Sequence, residues 1–261
     1  MSDRVTAPSV RAMKSGGQKV VCVTAYDAIF GRLADAAGVD LILVGDSVGN
    51  TVMGQPNMLG VSLEDIAHHT QAVARGVKRA LLVADLPFGS YQESPAQAVR
   101  SAVTLVKAGA KAVKLEGEFV EAIQAIRKAG IPVMGHVGMT PQSVHSYGGF
   151  KVQGQGREAQ SVLNAAKAVD EAGAFAIVLE LIPAVLANEI TSAVSSPTIG
   201  IGAGRGCDGE IQIIYDILGF SVRQYRHTKP YVKGGELMGE ALIHYVSEVR
   251  ERAFPTEEQA I

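Results

Sequence analysis

The chain repeats a pattern in which a run of apolar residues ends at one charged or polar residue. The run at 41–46, LILVGD, shows the pattern clearly, because four apolar residues lead through a glycine to Asp46. Such a run is typical of a strand that is buried on both faces. Four later runs share the design and end at Asp85, Glu116, His136 and Glu180. Since an unpaired charge is costly to bury, these residues are expected where the strands leave the core.

The segments between these runs are predicted to be helices. Five of them end at glycine, the residue favoured just after a helix C-terminus, at positions 38, 76, 109, 130 and 173. The eight predicted strands that alternate with the helices are 19–26, 41–46, 79–85, 112–115, 132–136, 175–180, 197–201 and 211–215. Alternation on this scale predicts an α/β fold of the (β/α)8 barrel class, with an open doubly wound sheet as the alternative.

One barrel domain is expected to occupy residues 1–261, with a short N-terminal helix at 9–16 and a polar tail at 254–261. In a barrel the C-terminal ends of all the strands meet on one face. The polar residues that end the strands would therefore converge there.

The composition argues against several classes of function. With 24 basic and 26 acidic residues the net charge is −2, and no basic block favours nucleic acid. No apolar stretch approaches the roughly 18 residues that cross a membrane, and the N-terminus lacks a signal-peptide pattern. Cys22 and Cys207 form no CxxC pair, which favours a reducing cytoplasm. Because only 19% of the residues are charged, part of the exterior is expected to be buried in a homo-oligomer.

Three acids end consecutive predicted strands: Asp46, Asp85 and Glu116. Neighbouring strands lie about 5 Å apart, so the three carboxylates could reach one point. Oxygen ligands without cysteine or paired histidine suit a hard cation, Mg²⁺ first and Mn²⁺ second. The alternative is that each acid caps the following helix or pairs with a lysine or arginine. Three acids on consecutive strands favour the metal.

Three more strand-end residues are candidates for chemistry. Lys114 shares a strand face with Glu116, and a buried lysine needs an anionic partner, either a bound carboxylate or one of the acids. His136 could donate to a substrate oxygen, or could be a packed core histidine. An unpaired Glu180 beside apolar walls would suit a general base near neutral pH, with a salt bridge as the alternative.

Eight motifs, spread in order over nearly the whole chain, resemble those of one family. They are VTAYD at 23–27, GDSVG at 45–49, HHTQAVARG at 68–76, ADLPFGSY at 84–91, VKLEG at 113–117, GHVGMTPQSV at 135–144, GGFKVQG at 148–154 and IGIGAGRGCDG at 199–209. On these motifs the chain resembles the ketopantoate hydroxymethyltransferases. The loop at 49–59 and the stretch at 233–238 differ from the family's usual sequence.

The resemblance implies a (β/α)8 barrel and a set of residue roles. Asp46, Asp85 and Glu116 would surround one Mg²⁺ per subunit, and Glu180 would be the proton acceptor. The keto acid would be bound by Asp46, Ser47, Asp85 and Lys114.

The resemblance also implies a reaction and its partners. A one-carbon unit would pass from 5,10-methylenetetrahydrofolate to 3-methyl-2-oxobutanoate through a Mg²⁺-stabilised enolate, giving ketopantoate for pantothenate biosynthesis. The partners would be the small 2-keto acid and the folate, and the assembly would be a homodecamer.

The same residues are also compatible with two other functions. One is a different Mg²⁺-enolate barrel, of the phosphoenolpyruvate mutase or isocitrate lyase type, although the cysteine motif expected of the lyases is absent. The other is a metabolite-binding barrel without catalysis, against which the intact acids speak.

Overall fold

Eight parallel strands form a closed barrel in a computed structural model that describes residues 4–221 and 225–261. The strands pair in sequence order, and β8 pairs with β1 to close the ring. They are β1 Val20–Thr24, β2 Leu41–Val44, β3 Leu81–Asp85, β4 Ala112–Lys114, β5 Val133–Gly138, β6 Ala176–Glu180, β7 Thr198–Ile201 and β8 Gly209–Gln212. The predicted (β/α)8 barrel is confirmed, and the open sheet is wrong.

The helices alternate with the strands as predicted from β1 to β7, whereas no helix lies between β7 and β8 in this described part of the chain. They are α1 Ala7–Ser15, α2 Ala28–Ala36, α3 Val48–Thr51, α4 Leu63–Gly76, α5 Pro95–Ala108, α6 Val120–Lys128, α7 Val144–Tyr147, α8 Ala159–Glu171, α9 Ala184–Ala193, α10 Ile214–Ile217 and α11 Gly234–Arg250. Short 3-10 turns lie at Pro141–Ser143, Gly156–Glu158 and Glu257–Gln259. The sequence prediction missed the one-turn helices α3, α7 and α10.

Side-chain caps show why the helices begin where they do. The Asp27 carboxylate accepts hydrogen bonds from the first turn of α2, both 2.8 Å long. Ser62 and Asp65 form a capping box at the start of α4, each side chain accepting from the other's backbone N–H. These caps satisfy N–H groups that the helix itself leaves without partners.

The predicted last strand, 211–215, is misplaced. The observed β8 begins at Gly209, which pairs with Val20, and it ends before α10. A Cβ at Gly209 would lie 2.4 Å from the Val20 carbonyl oxygen, so this close strand approach requires glycine. The apolar run that suggested a later strand continues instead into Ile214 of α10.

The barrel interior is a packed apolar core. Its buried cluster includes Leu41, Leu43, Val83, Met134, Phe175 and Ile199. Ala7 and Val10 of α1 belong to the same cluster, so this N-terminal helix seals one end of the barrel. The polar strand ends lie at the other end.

The chain divides into two compact units, Met1–Ile213 and Ile214–Ile261. The first contains α1 and every strand of the barrel. The second contains α10 and α11, and most residues of α11 are exposed. The expectation of one domain over 1–261 stays a prediction. In the described parts of the chain, no helix has the length and apolar character needed to cross a membrane.

Candidate active site

The barrel brings the predicted site residues together at the C-terminal ends of β2 to β6. Asp85, His136 and Glu180 lie within the strands, while Asp46 and Glu116 follow β2 and β4 by two residues. The buried members of the group, each at most 4% exposed, are Asp46, Asp85, Lys114, Glu116 and His136. The side chain of Glu180 is 17% exposed.

A lysine and an acid form an ion pair at the ends of β3 and β4. Lys114 Nζ lies 2.5 Å from Asp85 Oδ1 and 3.9 Å from Glu116 Oε1. Burial alone would lower the pKa of Lys114, but the acids around it outweigh burial and raise that pKa. Lys114 therefore carries a fixed positive charge, and its anionic partner in the structure is one of the acids.

Asp46 is held by two hydrogen bonds, and in neither of them is the donor a charged group. Its carboxylate accepts a hydrogen bond from Gln142 Nε2 at 2.9 Å, and its backbone N–H donates to Asp85 Oδ2 at 3.0 Å. Burial, together with the negative charges of Asp85 and Glu116, raises the pKa of Asp46 well above its ordinary value. Among the described residues, Asp46 has no salt bridge.

His136 lies between two carboxylates. Its Nδ1 is 3.4 Å from Glu116 Oε1, and its Nε2 is 3.3 Å from Glu180 Oε2. Both contacts fall outside hydrogen-bond geometry in the described structure. Burial alone would lower the pKa of His136, but the two acids outweigh burial and raise that pKa to about 9. Glu116 shows the reverse balance: burial opposes its ionisation, but His136 and Lys114 lower its pKa.

This arrangement corrects the environment expected for Glu180. The sequence suggested an unpaired carboxylate beside apolar walls, but Glu180 contacts His136. The reason is that β5 and β6 are neighbours, so that residues at their ends meet. The role of Glu180 as proton acceptor stays a prediction.

Ser47 lies at the edge of the cluster, where the chain turns from β2 into α3. Its Oγ is 2.8 Å from the hydroxyl of Tyr26. A Cβ at Gly45 would lie 2.8 Å from Ser47 Oγ and 3.4 Å from Asp85 Oδ2. Only glycine at position 45 allows the hydroxyl and the carboxylate to approach the backbone this closely.

Two buried polar residues of the site, Gln142 and Tyr91, were not predicted from the sequence. The Gln142 side chain contacts Asp46, and its backbone N–H donates to Glu116 Oε2 at 2.9 Å. The Tyr91 hydroxyl lies 3.0 Å from the Glu116 carbonyl oxygen. Both residues belong to motifs quoted above, and Gln142 lies in a long glycine-rich loop of a kind that is often functional.

The donor set fits a hard divalent cation in charge and in chemistry. Three carboxylates, Asp46, Asp85 and Glu116, face Lys114 and His136, whose raised pKa values favour their charged forms, so one negative charge remains when all three acids are ionised. Oxygen donors of this kind suit Mg²⁺. Within residues 4–221 and 225–261, however, no three acid, histidine or cysteine side chains form a ready-made metal cage. Both Asp85 oxygens accept hydrogen bonds, one from Lys114 Nζ and one from the Asp46 backbone N–H.

A (β/α)8 barrel with acids, a lysine and a histidine buried at its C-terminal mouth has the architecture of a barrel enzyme. The family model described as ketopantoate hydroxymethyltransferase matches residues 4–257. The chain belongs to the ketopantoate hydroxymethyltransferase family.

Similar proteins from distant organisms carry one name, 3-methyl-2-oxobutanoate hydroxymethyltransferase. The relative from Neisseria gonorrhoeae (strain NCCP11945) is 48% identical, over 97% of this chain and 98% of its own. The relative from Cyanothece sp. (strain PCC 7425 / ATCC 29141) is 51% identical, over 96% and 98%. The relative from Ignicoccus hospitalis is 48% identical, over 97% and 98%. The chain is therefore a member of an enzyme family of hydroxymethyltransferases.

Solved structures with much lower identity share the fold. A putative phosphonomutase from Burkholderia cenocepacia J2315 is 16% identical with a TM-score of 0.65, over 93% of this chain and 99% of its own. Phosphonopyruvate hydrolase, solved with oxalate and Mg²⁺, is 17% identical with a TM-score of 0.62, over 96% and 99%. At this identity the likeness supports the barrel alone.

Proposed function

We propose that the chain transfers a one-carbon unit from 5,10-methylenetetrahydrofolate to 3-methyl-2-oxobutanoate, giving ketopantoate for pantothenate biosynthesis. The observation that carries the proposal is the buried set of three acids with surplus negative charge, linked through His136 to Glu180. Such a site can bind a cation and a 2-keto acid beside a carboxylate that accepts a proton. The names of the relatives support the same substrate.

Asp46, Asp85 and Glu116 are the residues that would hold Mg²⁺. When bound, the ion would draw electron density from the 2-keto oxygen and so favour loss of the proton at C3. A complete set of ligands would include the keto acid, since no three acid, histidine or cysteine side chains in the described part of the chain form a metal site by themselves.

Lys114 and Ser47 are proposed to bind the carboxylate of the keto acid. The raised pKa of Lys114 keeps its ammonium charged at neutral pH, and its burial strengthens the attraction for an anion. Asp85 orients that ammonium through the 2.5 Å contact. Ser47 Oγ adds a hydroxyl donor at the edge of the same site.

Glu180 is proposed to remove the proton at C3. It is the most exposed of the clustered acids, so a substrate entering at the mouth can reach it. His136, largely protonated near neutral pH because of its raised pKa, holds the Glu180 carboxylate and can donate to a substrate or product oxygen. With C3 deprotonated, the carbon would attack the methylene carbon of the folate after one of its two C–N bonds has opened to an iminium. Water would then replace the second folate nitrogen on that carbon, giving the hydroxymethyl group of ketopantoate and releasing tetrahydrofolate.

Deuterium exchange at C3 of the keto acid, measured by proton NMR with Mg²⁺ and without folate, tests the proton-removal step. Glu180→Gln is expected to slow the exchange by about 10²–10⁴-fold. Glu189→Gln, an exposed acid on α9, is the matched control and should leave the rate unchanged. Exchange that survives Glu180→Gln removes Glu180 as the base, and a wild-type protein without exchange rejects the mechanism.

The folate cosubstrate requires its own measurement. Adding 5,10-methylenetetrahydrofolate to the exchanging mixture should yield ketopantoate, detected by mass spectrometry. Exchange without any product would indicate a different enolate-forming barrel, and binding without exchange would indicate a metabolite-binding barrel.

We also propose that the chain works in the cytoplasm as a homo-oligomer, with the homodecamer of the family as the expected form. Large apolar side chains on α11 support an assembly, because Leu242 is 65% exposed and Ile243 is 67% exposed. Size-exclusion chromatography with light scattering would measure the mass, and a monomer would contradict this proposal.

A further inference from the structure

The Gln142 side chain links parts of the site that come from three different segments. It lies in the Pro141–Ser143 turn after β5 and is 5% exposed. Its backbone N–H donates to Glu116 Oε2 at 2.9 Å. Its Nε2 donates to Asp46 Oδ2 at 2.9 Å and to the Leu86 carbonyl oxygen at 3.0 Å.

The orientation of this amide is determined by its partners. Gln142 Oε1 accepts from the Tyr91 hydroxyl at 2.8 Å and from Gln92 Nε2 at 3.1 Å. The two donors of Nε2 meet two acceptors, and the carbonyl oxygen meets two donors, so every polar group of the amide is used. Rotating the amide by 180° would turn its oxygen toward the Asp46 carboxylate and the Leu86 carbonyl oxygen, and its NH2 group toward the Gln92 NH2 group.

Neutral hydrogen bonds can hold two acids in place without neutralising them, which a lysine or arginine could not do. Asp46 and Glu116 repel each other, and both are buried. Gln142 donates one hydrogen bond to each of them and thus holds them in place without cancelling their charge. Neither hydrogen bond adds a positive charge that would compete with a cation.

We propose that Gln142 is the positioning residue of the cation site, which orients the carboxylates of Asp46 and Glu116 through its two hydrogen bonds so that both can bind one divalent ion. This inference rests on the proposed function, because it assumes that the two acids bind a metal. In this role Gln142 acts through Asp46 and Glu116 and is not itself a ligand of the ion. Its effect is therefore on the affinity for the ion, with a smaller effect on the maximal rate.

The direct measurement is the dissociation constant for Mn²⁺, obtained by electron paramagnetic resonance on the full chain without keto acid or folate. Gln142→Met keeps an unbranched side chain of similar length and removes the amide. We expect this variant to bind Mn²⁺ about 10–100-fold more weakly, the usual effect of losing a partner that orients metal ligands. Gln160→Met is the matched control, since Gln160 is exposed on α8 and bonds only to Asn164 among the described residues. Its Mn²⁺ affinity should equal that of the wild type.

Tyr91→Phe provides a second variant with Gln142 left in place. It removes the hydroxyl that lies 2.8 Å from Gln142 Oε1. We expect weaker Mn²⁺ binding in the same direction, but less than for Gln142→Met. In both variants C3 exchange should need more Mn²⁺ for half-maximal rate, while the rate at saturating Mn²⁺ changes much less.

The outcomes separate the inference from the proposed function. A wild-type protein that binds no Mn²⁺ overturns the metal site itself and, with it, the role of Gln142. A wild type that binds Mn²⁺ and a folded Gln142→Met that binds it equally well overturn the positioning role alone. If Gln142→Met does not fold, as judged by circular dichroism, unchanged Mn²⁺ affinity in Tyr91→Phe overturns it.

Discussion

Replacing Asp46 by asparagine should make the metal-free protein more stable while it removes the proposed activity. Asp46 is buried beside Asp85 and Glu116, and in the described structure it has no salt bridge of its own. An asparagine has nearly the same shape, and its side-chain oxygen can still accept the hydrogen bond from Gln142. The substitution therefore removes the repulsion from Asp85 and Glu116 and keeps the hydrogen bond from Gln142.

The pH dependence has a definite sign. The pKa of Asp46 in the folded chain is raised by burial and by the neighbouring acids, whereas in the unfolded chain it is ordinary, about 3.9. The unfolded chain thus loses its proton first, and the wild type loses stability as the pH rises from about 4 through the folded pKa. The difference in the free energy of unfolding between Asp46→Asn and the wild type is therefore absent near pH 4, grows as the pH rises and then levels off.

The magnitude follows from the charges around the site. Two repulsive neighbours and one attractive neighbour, Lys114, leave about one unbalanced repulsion. Such a contact is worth about 4 kcal/mol at 4 Å and an effective dielectric constant of 20, and the weaker neutral hydrogen bond offsets about 1 kcal/mol. With relaxation of the site the net gain should be about 1–3 kcal/mol, and each kcal/mol corresponds to roughly 2–4 °C in Tm.

Thermal unfolding in EDTA at several pH values between 4 and 8 measures this gain. Glu189→Gln is the control, since Glu189 is exposed on α9 and its loss should leave the pH profile unchanged. Added Mg²⁺ should stabilise the wild type and narrow the gap, because ligand binding to the folded state stabilises it. If Asp46→Asn is less stable than the wild type at pH 7.5 in EDTA, the reasoning about crowded charge is wrong.

Two further predictions concern the same end of the barrel and its outer packing. Lys114→Met removes the cation beside Asp85 and leaves buried acids uncompensated. The free energy of unfolding in urea at neutral pH should therefore fall by about 3–5 kcal/mol. A variant as stable as the wild type would contradict the ion pair. Gly135→Ala should cost about 1–3 kcal/mol, because its Cβ would lie 2.2 Å from Val169 Cγ1 on α8. Adding Val169→Ala should recover part of that loss, and a neutral Gly135→Ala would show that the packing of β5 against α8 is loose.

Much of the fold could be predicted because its signals are local. An apolar run that ends at glycine, a capping residue such as Asp27, and a glycine after a helix each act over a few neighbouring residues. The same locality explains the error at β8. The run near Ile214 is apolar enough for a strand, but pairing with β1 selects the earlier residues from Gly209.

The sequence predicts which residues gather at the candidate site, but it does not predict which of them contact each other. Asp46, Asp85 and Glu116 were expected together because parallel strands deliver their ends to one face. For Lys114 the sequence left open whether its partner was a ligand or an acid, and the structure pairs it with Asp85. For Glu180 the sequence left open an unpaired carboxylate or a salt bridge, and the structure places His136 against it.

The chain's own residue order is enough to predict most of the strands and helices, and it favours a barrel with the acids collected at one end. These features depend on periodicity and on contacts between neighbours in sequence. Tertiary structure alone decides that Gln142 joins Asp46 to Glu116 and that His136 separates Glu116 from Glu180. Hydrogen bonds and ion pairs act over about 3–4 Å, and such distances between separate strands and loops are set only when the whole barrel closes.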